Sequence, residues 1–141
     1  MRAFFDSSVL VAVFLENHEY HERSFGAFAE ADKRRDGCAA HSLAEVYSTL
    51  TRLPGRNRLS GEQAFLFLEN IRERLALVTL VGDEYYAAIR EAASAGVTGG
   101  TIYDVLIARC ALKARAEALY TWNIRHFEQF GPAIARRLRT P

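Results

Sequence analysis

Phe4-Phe5-Asp6-Ser7-Ser8-Val9-Leu10 joins an apolar strand-like segment to a helix-like one through an acidic residue. Residues 2–6 have the apolar character of a short buried strand, and Asp6 ends it. Apolar residues then recur at helical spacing through Val9, Leu10, Val13 and Phe14. The same handover, from an apolar segment to a helix-like one with an acidic residue at the joint, returns twice. It returns in Ser42-Leu43-Ala44-Glu45-Val46-Tyr47 and in Thr101-Ile102-Tyr103-Asp104-Val105-Leu106. A carboxylate set among core-forming residues is costly unless its charge is compensated. If the fold gathers Asp6, Glu45 and Asp104, a divalent cation is the natural compensation.

Beyond this stretch, Glu19 to about Arg34 reads as a second helix, and Gly37–Ala40 as a strand. Ser42 opens a helix that Pro54-Gly55 ends, and Ser60 with Gln63 three residues on forms a capping-box pattern for the next. That helix carries the apolar run Ala64-Phe65-Leu66-Phe67-Leu68. Leu75–Val81 reads as a strand, and Asp83 can cap a helix running to Gly96. Gly99-Gly100 is a turn before a helix over 101–115. Ala118–Thr121 is a further strand, and Phe127–Phe130 a short helical turn. Strands alternating with helices predict an α/β domain with a mainly parallel sheet, spanning residues 1–141 with no repeat or linker to divide it.

With 141 residues, half of them apolar and a quarter charged, the chain has enough material for one soluble domain with a real core. A net charge of +1 gives no global case for nucleic-acid binding. Of the local basic clusters, Lys33-Arg34-Arg35 reads as a solvated face, whereas Arg52, Arg56 and Arg58 lie just downstream of Glu45, where they can guide a phosphate backbone. Arg136, Arg137 and Arg139 make a third cluster. Cys38 and Cys110 sit in apolar surroundings as small hydrophobes and form no zinc pattern or disulfide framework. Met1-Arg2 passes straight into a short apolar run that Asp6 interrupts, which is not a signal-peptide pattern, and no apolar stretch approaches a membrane span. The expected location is the cytoplasm.

In an open parallel sheet, ligand sites lie beyond the carboxyl ends of the strands. Asp6 ends the first strand, while Glu45 and Asp104 fall within the first turn or so of helices, so the topology permits all three at one end of the sheet. Oxygen-only ligands of this kind suit Mg²⁺ or Mn²⁺. A plainer account exists for each residue alone. Ser42-x-x-Glu45 and Thr101-x-x-Asp104 match capping boxes, and Asp6 can cap the helix that follows it. The flanking motifs are longer than a cap requires.

Those motifs carry a resemblance. Phe5-Asp6-Ser7-Ser8-Val9-Leu10, Ser42-Leu43-Ala44-Glu45-Val46, Ile102-Tyr103-Asp104-Val105-Leu106-Ile107-Ala108 and Tyr120-Thr121-Trp122-Asn123-Ile124-Arg125-His126-Phe127 occur in order across nearly the whole chain. Together they resemble the PIN-domain ribonucleases, and within them the VapC-like toxins of bacterial toxin–antitoxin pairs. The resemblance implies a three-layer α/β/α sandwich and a Mg²⁺-dependent endoribonuclease, with Mn²⁺ as a possible substitute. It further implies an RNA substrate, a cognate antitoxin and a homodimer. Asp6 and Asp104 are then the principal metal ligands, Glu45 binds metal directly or through water, and Asn123 completes the catalytic set. The family often has a further acid in its last motif, where Asn123 offers a carbonyl but no charge. One firmly bound ion is therefore expected, with any second recruited partly by substrate phosphate. Cleavage would leave a 5′-phosphate and a 3′-hydroxyl.

Around this set, Ser7 and Thr121 are candidates to hold the carboxylates by hydrogen bonds. Arg125 and His126 are candidate phosphate contacts or a surface charge pair. His41 reads as a helix-entry histidine bonded to backbone, or as a wall of the site. His18 and His21 are three apart with no third metal ligand in sight. Trp122 is a candidate base platform, although packing beside a strand explains it as well. Phe65–Leu68 is either core or a surface for a second copy or an antitoxin. Two other classes fit parts of the pattern. One is a PIN-like module that binds RNA or a partner without cutting, supported by Asn123. The other is a phosphatase with Asp6 as nucleophile, but enzymes of the haloacid-dehalogenase type usually place a second Asp where this chain has Ser8.

Overall fold

The computed structural model describes residues 1–141. Five short strands form one all-parallel sheet: β1 (Ala3–Phe5), β2 (Asp36–Ala39), β3 (Ala76–Val78), β4 (Ala118–Tyr120) and β5 (Leu138–Arg139). Their order is β3-β2-β1-β4-β5. Chain order therefore runs outward from β1 in one direction to β3 and in the other to β5. That reversal at β1 is a topological switch point, where a parallel sheet opens a crevice beyond its strand ends.

Alternation along the strands divides the core. Phe4 and Leu119 pair in register and face one side, where they pack with Leu106, Ile107 and Cys110 of α6 (Thr101–Lys113). Ala88 of α5 (Gly82–Ser94), Phe127 of α7 (Ile124–Glu128) and Ile134 of α8 (Pro132–Ala135) complete this side. Phe5, Cys38 and Tyr120, also in register, face the other side. There they meet α1 (Ser7–Val13), α2 (His21–Ala29), α3 (Ser42–Thr51) and α4 (Gly61–Arg74). The result is the expected α/β/α sandwich. Gly37 in β2 leaves no room for a Cβ, which would meet the Ala76 carbonyl oxygen at 2.8 Å.

Several local expectations change. The second helix is shorter than 19–34 because the chain turns at Asp32–Asp36, where the Asp36 carboxylate accepts from the Asp32 N–H. Asp83 does not cap α5; Val81 precedes the helix, and Glu84 accepts the Val81 N–H at 3.0 Å. The short final turn forms earlier, over Ile124–Glu128, and α8 and the edge strand β5 had no strong sequence signal. The Ser60–Gln63 capping box forms in both directions. In the run after it, Ala64 is buried and Phe67 stacks on Phe14 at 4.5 Å, whereas Phe65 and Leu66 stand more than half exposed. The cysteines are free and buried, and burial lifts the Cys38 thiol to about 12. No helix is long and apolar enough to cross a membrane.

At the opposite end of the sheet from Asp6, the fully buried Asp36 is a structural carboxylate. It accepts from Arg2 Nε at 2.9 Å and from the Ala3 N–H at 3.1 Å, tying β1 to β2. Burial alone would raise its pKa, but Arg2 and the Asp32 and Ala3 N–H groups outweigh that and hold it below the usual range. Its ion-pair contribution is thus present above the ordinary carboxylate pKa of about 4 and lost as pH falls through the lower folded value. Asp36→Asn should cost about 1–3 kcal/mol at neutral pH. In urea melts the deficit should shrink below about pH 4; an equal deficit at all pH values would refute this assignment.

Candidate active site

Asp6, Glu45, Asp104 and Asn123 all line one open cavity of about 530 Å³ at the switch point. Each is delivered by the start of a helix. Asp6 immediately precedes α1, Glu45 and Asp104 lie in the first turns of α3 and α6, and Asn123 precedes α7. The positive ends of the longer helices partly offset the negative charge collected there.

None of the three acids acts as the cap that its local sequence suggests. Asp6 makes no side-chain cap, α3 starts after His41 and α6 after Gly100, and neither entry has a side-chain cap bond. The carboxylates are held by other partners. Asp6, 1% exposed, accepts at Oδ2 from Ser8 Oγ (2.6 Å) and Thr121 Oγ1 (2.8 Å). Glu45 accepts at Oε1 from Ser7 Oγ (3.0 Å), and Asp104 Oδ2 lies 2.8 Å from His126 Nε2. In each carboxylate the side-chain hydrogen bonds fall on a single oxygen. The hydroxyls of Ser7 and Thr121 thus bond as expected. Ser8 and His126 are partners that the sequence did not assign to these carboxylates, although a hydroxyl two residues after a strand-ending Asp is a readable signal.

The electrostatics follow from this crowding. Burial raises the Asp6 pKa, opposed by the two hydroxyl bonds and reinforced by the charge of Asp104. Burial likewise lifts Glu45 to about 7, against the Ser7 bond and with help from Asp104 and Asp6. Asp104 thus disfavours the charged forms of Asp6 and Glu45, and this crowding of negative charge around the cavity favours a ligand of opposite charge. No three His, Cys, Asp or Glu side chains close around one point. The arrangement instead suits a hard cation held by one or two carboxylates, with water and substrate oxygens filling the remaining positions, which is how Mg²⁺ is usually bound.

The other candidates separate. His41 is at the entry to α3, with Nε2 3.1 Å from the Tyr103 carbonyl and 3.5 Å from Glu45 Oε1. Burial lowers its pKa, so the neutral ring donates to the carbonyl and does not form an ion pair with Glu45. His18 accepts the Tyr20 N–H and His21 Nδ1 bonds the Ala12 carbonyl, so these two share no metal site. Trp122 stacks on Tyr20 with centroids 3.9 Å apart. Arg125 is exposed, and Arg58 spends its Nε on the Leu53 carbonyl. Ser8 fills the position that a phosphatase of the haloacid-dehalogenase type would give to its second Asp, and its hydroxyl is committed to Asp6.

A parallel α/β/α fold with an acidic crevice at its switch point suits a ligand held at the strand ends, and comparison with known proteins shows the family. The PIN-domain family model matches residues 3–131, and the chain belongs to that family. It is similar to Ribonuclease VapC40 of Mycobacterium tuberculosis, 36% identical over 125 residues and 89% of each chain. It is also similar to Ribonuclease VapC27 of the same organism, 34% identical over 113 residues, covering 79% of this chain and 78% of that one. Among solved structures, VapBC2 from Rickettsia felis, bound to a DNA fragment from its promoter, matches with a TM-score of 0.67. That match has 20% identity and covers 99% of this chain and 98% of the other.

The raised carboxyl pKa values carry a stability consequence. Glu45 stays neutral in the folded protein below about pH 7, while an unfolded Glu ionises near 4.3, so the folded state is penalised progressively as pH rises between these values. The buried Asp6 adds a penalty of the same sign. In thermal melts with chelator at pH 7.5, Asp6→Asn should melt at or above the wild-type temperature. A clear loss of stability would show instead that the ionised carboxylate supports the fold.

Proposed function

We propose that this protein is a divalent-metal-dependent endoribonuclease, the toxin component of a toxin–antitoxin pair, with residues 1–141 forming one PIN-like domain. The observation that carries the reading is the convergence of Asp6, Glu45 and Asp104 on one cavity, each held through one oxygen. The names of the relatives and the assembly seen in the structural neighbour support it. Mg²⁺ is the expected ion, with Mn²⁺ able to replace it, and Asp6 and Asp104 are its ligands. When bound, the ion neutralises phosphoryl charge and lowers the pKa of a coordinated water.

The chain's residues supply the rest. Glu45, with a pKa near 7, is matched to accept a proton from the attacking water near neutral pH. The water oxygen bonds to phosphorus as the P–O3′ bond breaks, giving a 5′-phosphate and, after protonation of the leaving oxygen, a 3′-hydroxyl. Ser8 and Thr121 fix the orientation of Asp6, Ser7 that of Glu45, and His126 that of Asp104. Asn123 offers a neutral carbonyl to water or phosphate at the cavity wall. The partners in this reading are RNA, a cognate antitoxin and a second copy of the chain. Phe65 and Leu66 are exposed apolar surface suited to protein contact.

Purified protein should cleave RNA in Mg²⁺ and stop with chelator, and Asp6→Asn or Asp104→Asn should lower the rate by about 100-fold or more while the fold persists. Metal-independent cleavage, or full activity in both variants, contradicts the reading. A protein that binds RNA without cutting it would be the binding module instead. Mn²⁺ should also raise the melting temperature of wild type, and His126→Ala should weaken that shift; an unchanged shift removes His126 from the role of orienting Asp104.

A further inference from the structure

The cavity has a second wall that the chemistry at phosphorus leaves unused. Val11, His18, Tyr20 and Trp122 line it alongside the acids. Tyr20 and Trp122 are stacked nearly face to face, 9° from parallel. Trp122 is locked in place: its Nε1 donates to Ser24 Oγ at 2.9 Å, and its backbone N–H donates to Ser8 Oγ at 3.1 Å. The Arg23 guanidinium also lies over its ring, 5.0 Å from the centroid. The Tyr20 backbone N–H donates to His18 Nδ1 at 3.0 Å. One hydroxyl, that of Ser8, contacts both Asp6 and the Trp122 backbone, so the aromatic pair and the acidic centre are held in fixed register.

We propose that Tyr20, backed by Trp122, is a base-stacking subsite for a nucleotide flanking the scissile phosphate, and that the substrate is therefore single-stranded at that nucleotide. This inference rests on the ribonuclease reading above. A nucleotide joins a phosphate to an aromatic base through one sugar, and the cavity joins an acidic, cation-binding pole to an aromatic one. Trp122 is not itself the platform, because Tyr20 covers its ring. Tyr20 has one face against Trp122, has the His18 ring tilted beside it at 5.8 Å, and borders the cavity, where an entering base would meet the rest of its ring. The pair is already ordered, so binding need not freeze either side chain. A base inside a duplex has both faces occupied by its neighbours, so only an unpaired base can use the subsite.

The chain has a single tryptophan, so its emission reports on this wall alone. The full-length protein is titrated with a single-stranded RNA hexamer, the same hexamer carrying one abasic position in turn, and a duplex of the same sequence. Binding is followed in Asp104→Asn protein and cleavage in otherwise wild-type protein. Single-stranded RNA should quench Trp122 emission, and duplex should not. Tyr20→Leu, which keeps bulk but loses the π face, should weaken binding about 5- to 150-fold, and Tyr20→Phe should retain it. One abasic position should abolish the difference between Tyr20→Leu and the parent. Equal binding by Tyr20→Leu, an equal loss in Tyr20→Phe, or duplex bound as well as single strand would overturn the subsite. If Tyr20→Leu does not fold, the quenching contrast between single strand and duplex decides alone. Failure of otherwise wild-type protein to cut any RNA would instead remove the ribonuclease reading; intact cleavage with an indifferent Tyr20 removes only the subsite.

Discussion

Asp6 ends β1 with its carboxylate out of water, and two hydroxyls hold it there, one from the start of α1 and one from the residue after β4. Because β1 is the central strand, both neighbours converge on that point: β2 leads into the helix that carries Glu45, and β4 leads to Asn123. Asp104 arrives from α6, which packs across one face of the sheet beneath Phe4 and Leu119. The burial that fixes Asp6 in position also makes its charge expensive. The acidic edge is therefore a place where the fold gives up stability that a bound cation can return.

The two ends of the sheet treat the same chemistry oppositely. Asp36, at the amino end, is buried with an arginine and backbone N–H groups, and its pKa falls. Asp6 and Glu45, at the carboxyl end, are surrounded by hydroxyls and one another, and their pKa values rise. A buried acid satisfied by protein cations is structural. Buried acids left facing each other across an open cavity are poised for a ligand of opposite charge.

Much of this was legible in the sequence because the residues that build the sheet edge also carry the site. Phe5-Asp6 encodes a strand end and a carboxylate in two adjacent letters, and the motifs around Glu45, Asp104 and Asn123 place their polar side chains at or near the starts of helices. The local helix-cap explanation was equally available and proved wrong, since the caps depend on backbone geometry that three-residue spacing cannot report. Long-range partners were hidden for the same reason. Nothing near Asp104 points to His126, and nothing near Tyr20 shows that Trp122, 102 positions later, stacks on it. The edge strand Leu138–Arg139 carries no readable signal because two residues give no periodicity.

The carboxylates of Asp6 and Asp104 are proposed to share one divalent cation. Crystals soaked in Mn²⁺ and measured near its absorption edge test this directly, because anomalous scattering locates the ion without assuming its ligands. A single strong peak is expected within coordination distance of one oxygen each of Asp6 and Asp104, and it should be lost in Asp104→Asn. An empty cavity at saturating Mn²⁺, or a peak held by other side chains, would contradict it.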